Sequence, residues 1–322
     1  AARDIAGLAV FTTDDPTASF SAFTKDALSR PVPRPTQPLT PREIFDDYCV
    51  YHSTISMPDY QAGKPPYESE GGGWIVDSAG SPILQKYQEA NLVVTVPRVP
   101  QPPSGFPTVV FIRTGAGGDR ALVDRGRHAV AGGEAISPGT GPALHFARAG
   151  FAGISVDGPH GGRRNVTGGD EQFLMFNVFN AAALRDNVRQ SALEIVLLAH
   201  VLEDVRLDAG SCPGVADSQV KFDVGRLALM GHSMGATIAP LALAVEPRYR
   251  AAILSGAGGS WIENVLYKKK PLEVRPMAEV ILGYASERRS LTATAPVLSL
   301  VQWAAEAADP QVYADRIVHN PA

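Results

Sequence analysis

The chain of 322 residues has only two cysteines, Cys49 and Cys212. They lie far apart and match no metal-ligand spacing, so a thiolate metal site is excluded; one disulfide and two thiols both stay open, because sequence carries no geometry. No run of 18 apolar residues is present, which excludes a membrane-spanning helix. A stripe of Lys and Arg is also lacking: the net charge is −4 with both signs scattered, and nothing argues for nucleic acid. The short basic run Lys268-Lys269-Lys270 reads as a solvated helix end. An initiator Met and a signal peptide are missing too, and the start at Ala1-Ala2-Arg3 leads us to expect a processed chain.

What is present centres on residues 226–237, where the apolar run Leu227-Ala228-Leu229-Met230 passes into Gly231-His232-Ser233-Met234-Gly235 and then into Ile238, Leu241 and Leu243. This reads as strand, sharp turn, helix. Holding a serine Oγ clear of the backbone at a strand end forces a strained φ/ψ that only small neighbours tolerate, and Gly231 and Gly235 supply the room. A bare G-x-S-x-G arises by chance in roughly one chain in ten of this length; the strand before it and the helix after it are the context that separates a nucleophile from a coincidence. Ser233 is the candidate nucleophile, and the Met234 amide at the helix start is the candidate first donor to an oxyanion.

Along the chain, Ile5 to Thr12 reads as a short strand closed by Thr13-Asp14-Asp15-Pro16. Residues 1–70 hold this strand and a Pro-rich arm (Pro31, Pro33, Pro35, Pro38, Pro41), too rigid and donor-poor for a central sheet and expected to pack over the core. Residues 71–260 read as the core. Antiparallel strands at Trp74–Val76 and Ala90–Pro97 open it, and strands at 108–112, 151–156, 227–230 and 251–254 then alternate with helices. The fold class is therefore α/β, with a mostly parallel sheet flanked by helices, and ligands bind beyond the carboxyl ends of such strands. The long helix presents Leu184, Val188, Ser191, Ile195, Leu198 and Leu202 on one face, while Arg185, Asp186, Arg189, Glu194 and Glu203 fall mostly elsewhere. His200 on it reads as structural. Residues 261–322 read as a helical cap punctuated by Pro271, Pro276, Pro296 and Pro310.

Two further loops lie at the same sheet edge. Arg113-Thr114-Gly115-Ala116-Gly117-Gly118-Asp119 lets amides face inward, and Thr114 or Gly115 is the candidate second oxyanion donor; losing one such donor costs about 3 kcal/mol. A phosphate loop is disfavoured because no Gly-Lys-Ser/Thr follows. In Asp157-Gly158-Pro159-His160-Gly161-Gly162, a polar turn in which Asp157 holds backbone N–H groups is favoured over a catalytic His160.

GHSMG at 231–235, the glycine loop after the preceding strand, DGPHGG at 157–162 and RDNVRQ at 185–190 together resemble the α/β-hydrolase superfamily, specifically secreted or lipoprotein-type bacterial serine esterases and lipases. The resemblance covers residues 71–260 well and the remainder loosely. It implies a secreted or cell-envelope serine hydrolase that cleaves a small or lipophilic carboxylic ester, with no cofactor. Where many relatives carry His-Gly, this chain has Arg113-Thr114, which either alters the oxyanion hole or places a cation near the substrate. A cap containing Trp261, Leu266, Met277, Ile281, Leu282 and Trp303 fits a hydrophobic acyl or alcohol group, or is simply the cap's own core. A peptidase or a polyester depolymerase shares these motifs.

The superfamily triad runs Ser, acid, His along the chain, yet after Ser233 only His319 remains. We therefore expect a second polypeptide to complete the sheet and supply both groups. The alternatives are a local triad from His319 or His160 with Glu263, Asp157 or Asp309, and an incomplete module that binds rather than cuts.

Overall fold

The computed structural model describes residues 14–115, 120–124, 129, 135–270 and 272–319. The expected strand at Ile5–Thr12, Pro271 and the glycine-loop residues Ala116 to Asp119 lie outside the described residues.

The chain enters through α1 (Ala18–Ser29), then β1 (Thr40–Ile44), β2 (Tyr48–Asp59) and β3 (Lys86–Pro97). Next come β4 (Phe106–Ile112), α2 (Ala121–Asp124), α3 (Pro142–Arg148), β5 (Ala152–Val156), α4 (Glu171–Met175) and α5 (Ala181–Asp204). A small ribbon of β6 (Leu207–Asp208) and β7 (Gln219–Val220) leads into β8 (Phe222–His232), α6 (Met234–Leu243) and β9 (Tyr249–Ser255). The last segment carries α7 (Trp261–Tyr267), α8 (Val274–Ile281), α9 (Pro296–Ala305) and α10 (Ala314–His319).

Seven strands form one sheet in the order β1-β2-β3-β5-β4-β8-β9. The half that holds the candidate site, β5-β4-β8-β9, is parallel throughout. Every residue of β4 and β5 is buried, as expected of apolar runs covered on both faces. Helices α5 and α6 pack on one face, and α2 and α3 cover β4 and β5 on the other.

The arm differs from expectation. β2 pairs with β3 over its whole length, from Tyr48↔Pro97 to Asp59↔Lys86, so the segment supplies a strand inside the sheet. The five arm prolines all precede β2, Pro41 on the edge strand β1, and Pro58 lies at the end of β2 opposite Tyr87, beyond the stretch that pairs with β1. Trp74 and Val76 make only isolated bridges, to Gln61 and Pro82. Trp74 instead seals α1, with Phe23 stacked at 4.2 Å. A Cys49–Cys212 disulfide ties β2 to the β6–β7 loop across 163 residues of sequence.

On α5 the apolar face is buried as expected, but Asp186, Arg189 and Glu194 are buried as well. The helix is enclosed on a second side, and each charge there has a partner. Glu194 takes two bonds from Arg164, at 2.6 and 2.9 Å, and Asp186 accepts from the Trp74 amide at 2.7 Å and from Arg189. His200 pairs with Glu246 at 2.7 Å, a structural role.

At the far edge β9 pairs only with β8 among the described residues. Its side chains from Arg250 to Ser255 are exposed, Ile253 by 53% and Leu254 by 39%. Apolar edge strands left open in this way invite a further strand.

Candidate active site

β8 ends at His232 and α6 begins at Met234, leaving Ser233 at the junction with φ 53° and ψ −115°. A side chain at positive φ in this region is strained and persists only where its surroundings enforce it. Here they do. A Cβ on Gly231 would stand 2.8 Å from the Ala236 nitrogen, and one on Gly235 would stand 2.8 Å from the Ile112 carbonyl oxygen at the end of β4. The Ser233 N–H donates to the Ser255 carbonyl at 2.8 Å, and the Ser233 carbonyl accepts from Ala236 and Thr237 at 2.9 and 3.2 Å. Ser233 stays half-exposed beside the buried Met234 side chain. The first two amides of α6, those of Met234 and Gly235, have no carbonyl a turn earlier in the helix to bind.

The loop after β4 lies against this turn, with Ile112 in register with Gly231. Arg113 and Thr114 are both 3% exposed. α4, capped by Asp170 at the Gln172 amide (2.8 Å), lies over the loop, and a Cβ on Gly115 would run into the Gln172 side chain. Arg113 turns inward. Its guanidinium donates to the Pro159 carbonyl, lies 3.8 Å from the Glu171 carboxylate and 3.9 Å from Met234 Sδ. Burial pulls its pKa below the ordinary value, opposed by Glu171 and Asp157. The guanidinium expected either to alter the hole or to lie near the substrate is thus enclosed beside Met234.

In the loop after β5, Asp157 accepts the N–H groups of Asn91 and Arg163, each at 3.1 Å, the polar turn expected. His160, at φ 59°, reaches Asn187 Oδ1 through Nε2 at 3.1 Å. Asn187 Nδ2 donates to Leu174 and Met175 carbonyls, so Oδ1 is the acceptor and His160 Nε2 carries the proton. Burial drives this imidazole down to about 4, with the nearby Arg113, Arg164 and Lys86 charges acting the same way and the Asn187 bond opposing. Burial thus favours the neutral imidazole, and Nε2 is turned toward Asn187 on α5 rather than Ser233.

Among the described residues no histidine bonds to Ser233 Oγ. His232 Nδ1 reaches Ser255 Oγ at 3.0 Å, a pairing the sequence did not disclose because Ser255 is on another strand. His319 is exposed on α10, 3.8 Å from Asp315. Asp309 is consumed as a cap, accepting from the Ser260 and Gln311 amides at 3.0 and 2.9 Å and from Gln302 at 2.7 Å. Glu263 is exposed in the first turn of α7. A local triad from these groups is not assembled.

The helices expected after β9 are present, with a small core of Leu266, Leu291, Ala295 and Leu298. Trp261 is buried in the main core and its indole N–H donates to the Ala305 carbonyl at 3.0 Å. Trp303 is 75% exposed, and Ile281 and Leu282 are exposed also. The apolar stripe thus divides: Trp261 and Leu266 serve packing, while Ile281, Leu282 and Trp303 are open.

A strand–turn–helix with serine at the strained apex, on a parallel sheet preceded by antiparallel strands, defines the α/β-hydrolase fold. Solved structures agree. Over 94% of this chain and 75% of the other, acetyl xylan esterase 1 from Thermoanaerobacterium sp. superposes with a TM-score of 0.53 at 14% identity. The acetyl xylan esterase from Paenibacillus sp. R4 does so with a TM-score of 0.52 at 14% identity, over 93% of this chain and 76% of the other. At this identity the likeness is one of fold. No protein-family model and no curated protein matches the chain.

Proposed function

We propose that this protein is a serine hydrolase that cleaves small or lipophilic carboxylic esters through an acyl-enzyme on Ser233. The observation that carries the reading is the Ser233 backbone, held at φ 53° by two glycines that tolerate no Cβ; Ser260 has a similar φ of 59° but caps α7 with its side chain, whereas the Ser233 side chain makes no cap bond to α6. Ser233 Oγ attacks the ester carbonyl, and the negative charge that develops on its oxygen is met by the Met234 amide and by that of Thr114 or Gly115. The alcohol leaves, and water then releases the acid from the serine. The ester-cleaving names of the two similar structures fit this chemistry.

The base comes from a further segment that pairs with β9 and brings a histidine with its orienting acid to Ser233. Support for it lies in the open β9 edge with exposed Ile253 and Leu254, together with the lack, among the described residues, of a histidine on Ser233 Oγ. Residues 71–260, joined in the sheet by β1 and β2, act as the hydrolase core and 261–322 as the cap. The disulfide fits a secreted or cell-envelope setting, where such bonds persist.

The test is hydrolysis of a short-chain nitrophenyl ester by native material, beside the Ser233→Ala variant, with a denaturing gel to reveal a second fragment. Turnover that survives Ser233→Ala unchanged sinks the reading. A binding module that kept the fold without the chemistry is the second reading, favoured by the same unmet need for a base; an inert native assembly supports it.

A further inference from the structure

Arg113, in the loop after β4, carries a guanidinium into the interior, where it is only 3% exposed. A buried guanidinium is a poor space-filler, since an apolar side chain of similar volume is often neutral or better for stability. What this one does is join segments. It donates to the Pro159 carbonyl in the loop after β5, faces Glu171 at the start of α4, and touches Sδ of Met234, the first residue of α6. Gly158 and Gly161 form the floor beneath it: a Cβ on Gly158 would stand 3.3 Å from the guanidinium, and one on Gly161 would stand 2.8 Å from Cζ and overlap Nε. Its own carbonyl faces Gly235, where a Cβ would lie 3.1 Å away. The backbone of this residue thus precedes one candidate oxyanion donor, Thr114, while its side chain packs on the residue that supplies the other.

We infer that Arg113 is a positioning residue for the oxyanion hole, setting the distance between the Thr114 and Met234 amides by bracing both against the Asp157–Gly162 loop. The inference rests on the ester-hydrolase reading above. Two donors must converge on the oxyanion within a few tenths of an ångström, and a loose supporting shell forfeits rate before it forfeits substrate binding. Among the described residues the Nε atom of Arg113 has no hydrogen-bond partner, so the guanidinium is held by packing on the glycines and by two of its three nitrogens. Displacing it from below therefore disturbs its grip.

The probe is Gly161→Ala in the native assembly. Gly161 has φ −101° and ψ 153°, which any residue adopts, so the added methyl leaves charge and chain conformation alone and pushes only on the guanidinium. We expect kcat on the nitrophenyl ester to fall at least tenfold with KM within threefold of wild type. Gly158→Ala, the milder push, gives a smaller loss of the same kind. Arg113→Lys retains the charge but cannot reach all three partners and loses kcat likewise, and Arg113→Ala regains part of its kcat on adding guanidinium at millimolar concentration. Wild-type kcat in Gly161→Ala overturns the inference, as does a loss confined to KM. If wild-type protein shows no Ser233-dependent turnover, the function reading has failed, and amide exchange decides this inference separately. Faster exchange at residues 231–237 in Gly161→Ala, with residues 152–156 unchanged, supports the brace, and unchanged exchange at 231–237 overturns it.

Discussion

The backbone N–H of Ser233 donates to the carbonyl of Ser255 at 2.8 Å, so the elbow that carries the candidate nucleophile hangs from the outermost strand of the sheet. From Arg250 to Ser255 that strand is exposed, and its outer ladder is open among the described residues. The segment proposed to pair with β9 would also steady Ser233.

Ile253→Lys puts a charge on this edge at a site already 53% exposed. In the chain alone the change is worth no more than about 0.5 kcal/mol, as for other surface positions. In the native assembly it weakens association with the completing segment, because a lysine on an edge strand opposes further pairing. Thermal melts of the chain alone and sedimentation of the assembly read the two effects; unaltered retention of the second fragment contradicts the pairing.

Gly235→Ala places a methyl 2.8 Å from the Ile112 carbonyl oxygen and 3.1 Å from that of Arg113. Neither is a flexible side-chain end, so β4 and α6 must separate. The expected cost is about 1–3 kcal/mol of stability, by analogy with overpacked cores, and a loss of at least tenfold in Ser233-dependent turnover. Denaturant midpoints and ester hydrolysis measured on the same preparations check it.

Burial holds His160 near a pKa of about 4, below the 6.5 of an unfolded chain. Between pH 6.5 and 4 the unfolded chain takes up a proton that the folded one refuses. The stability linked to this group is therefore complete above pH 6.5 and is lost as pH falls through the window to 4, by about 3 kcal/mol at most. His160→Gln should flatten that part of the pH dependence while Ser233 keeps its reactivity. A Ser233 silenced by His160→Gln would instead make His160 the base.

The Arg164–Glu194 pair is sealed, with side chains 3% and 1% exposed, and Gln190 completes the carboxylate at 2.9 Å. Removing one partner strands a buried charge, at a cost of about 3–5 kcal/mol. Arg164→Met and Glu194→Leu together should recover most of that loss. A double-mutant cycle on denaturant midpoints tests the coupling; additive losses contradict it.

The elbow was legible in sequence because its requirements are local: an apolar strand, two glycines and a helix within twelve residues. The alternating strands of the parallel half were legible for the same reason. β2 was not, because the prolines around it weaken the strand signal and its pairing with β3 is long-range. Nor were the buried charges of α5, since Glu194 takes its partner Arg164 from a 3-10 turn thirty residues earlier. The inward course of Arg113 had one faint signal, the glycines at 158 and 161 that leave room for it.

The most direct test of the central claim is to expose native material and its Ser233→Ala counterpart to a fluorophosphonate probe and map the adduct by mass spectrometry. One equivalent of label on Ser233, absent from Ser233→Ala, is the result predicted. An unlabelled Ser233 in the complete native assembly, or labelling that persists in Ser233→Ala, contradicts it.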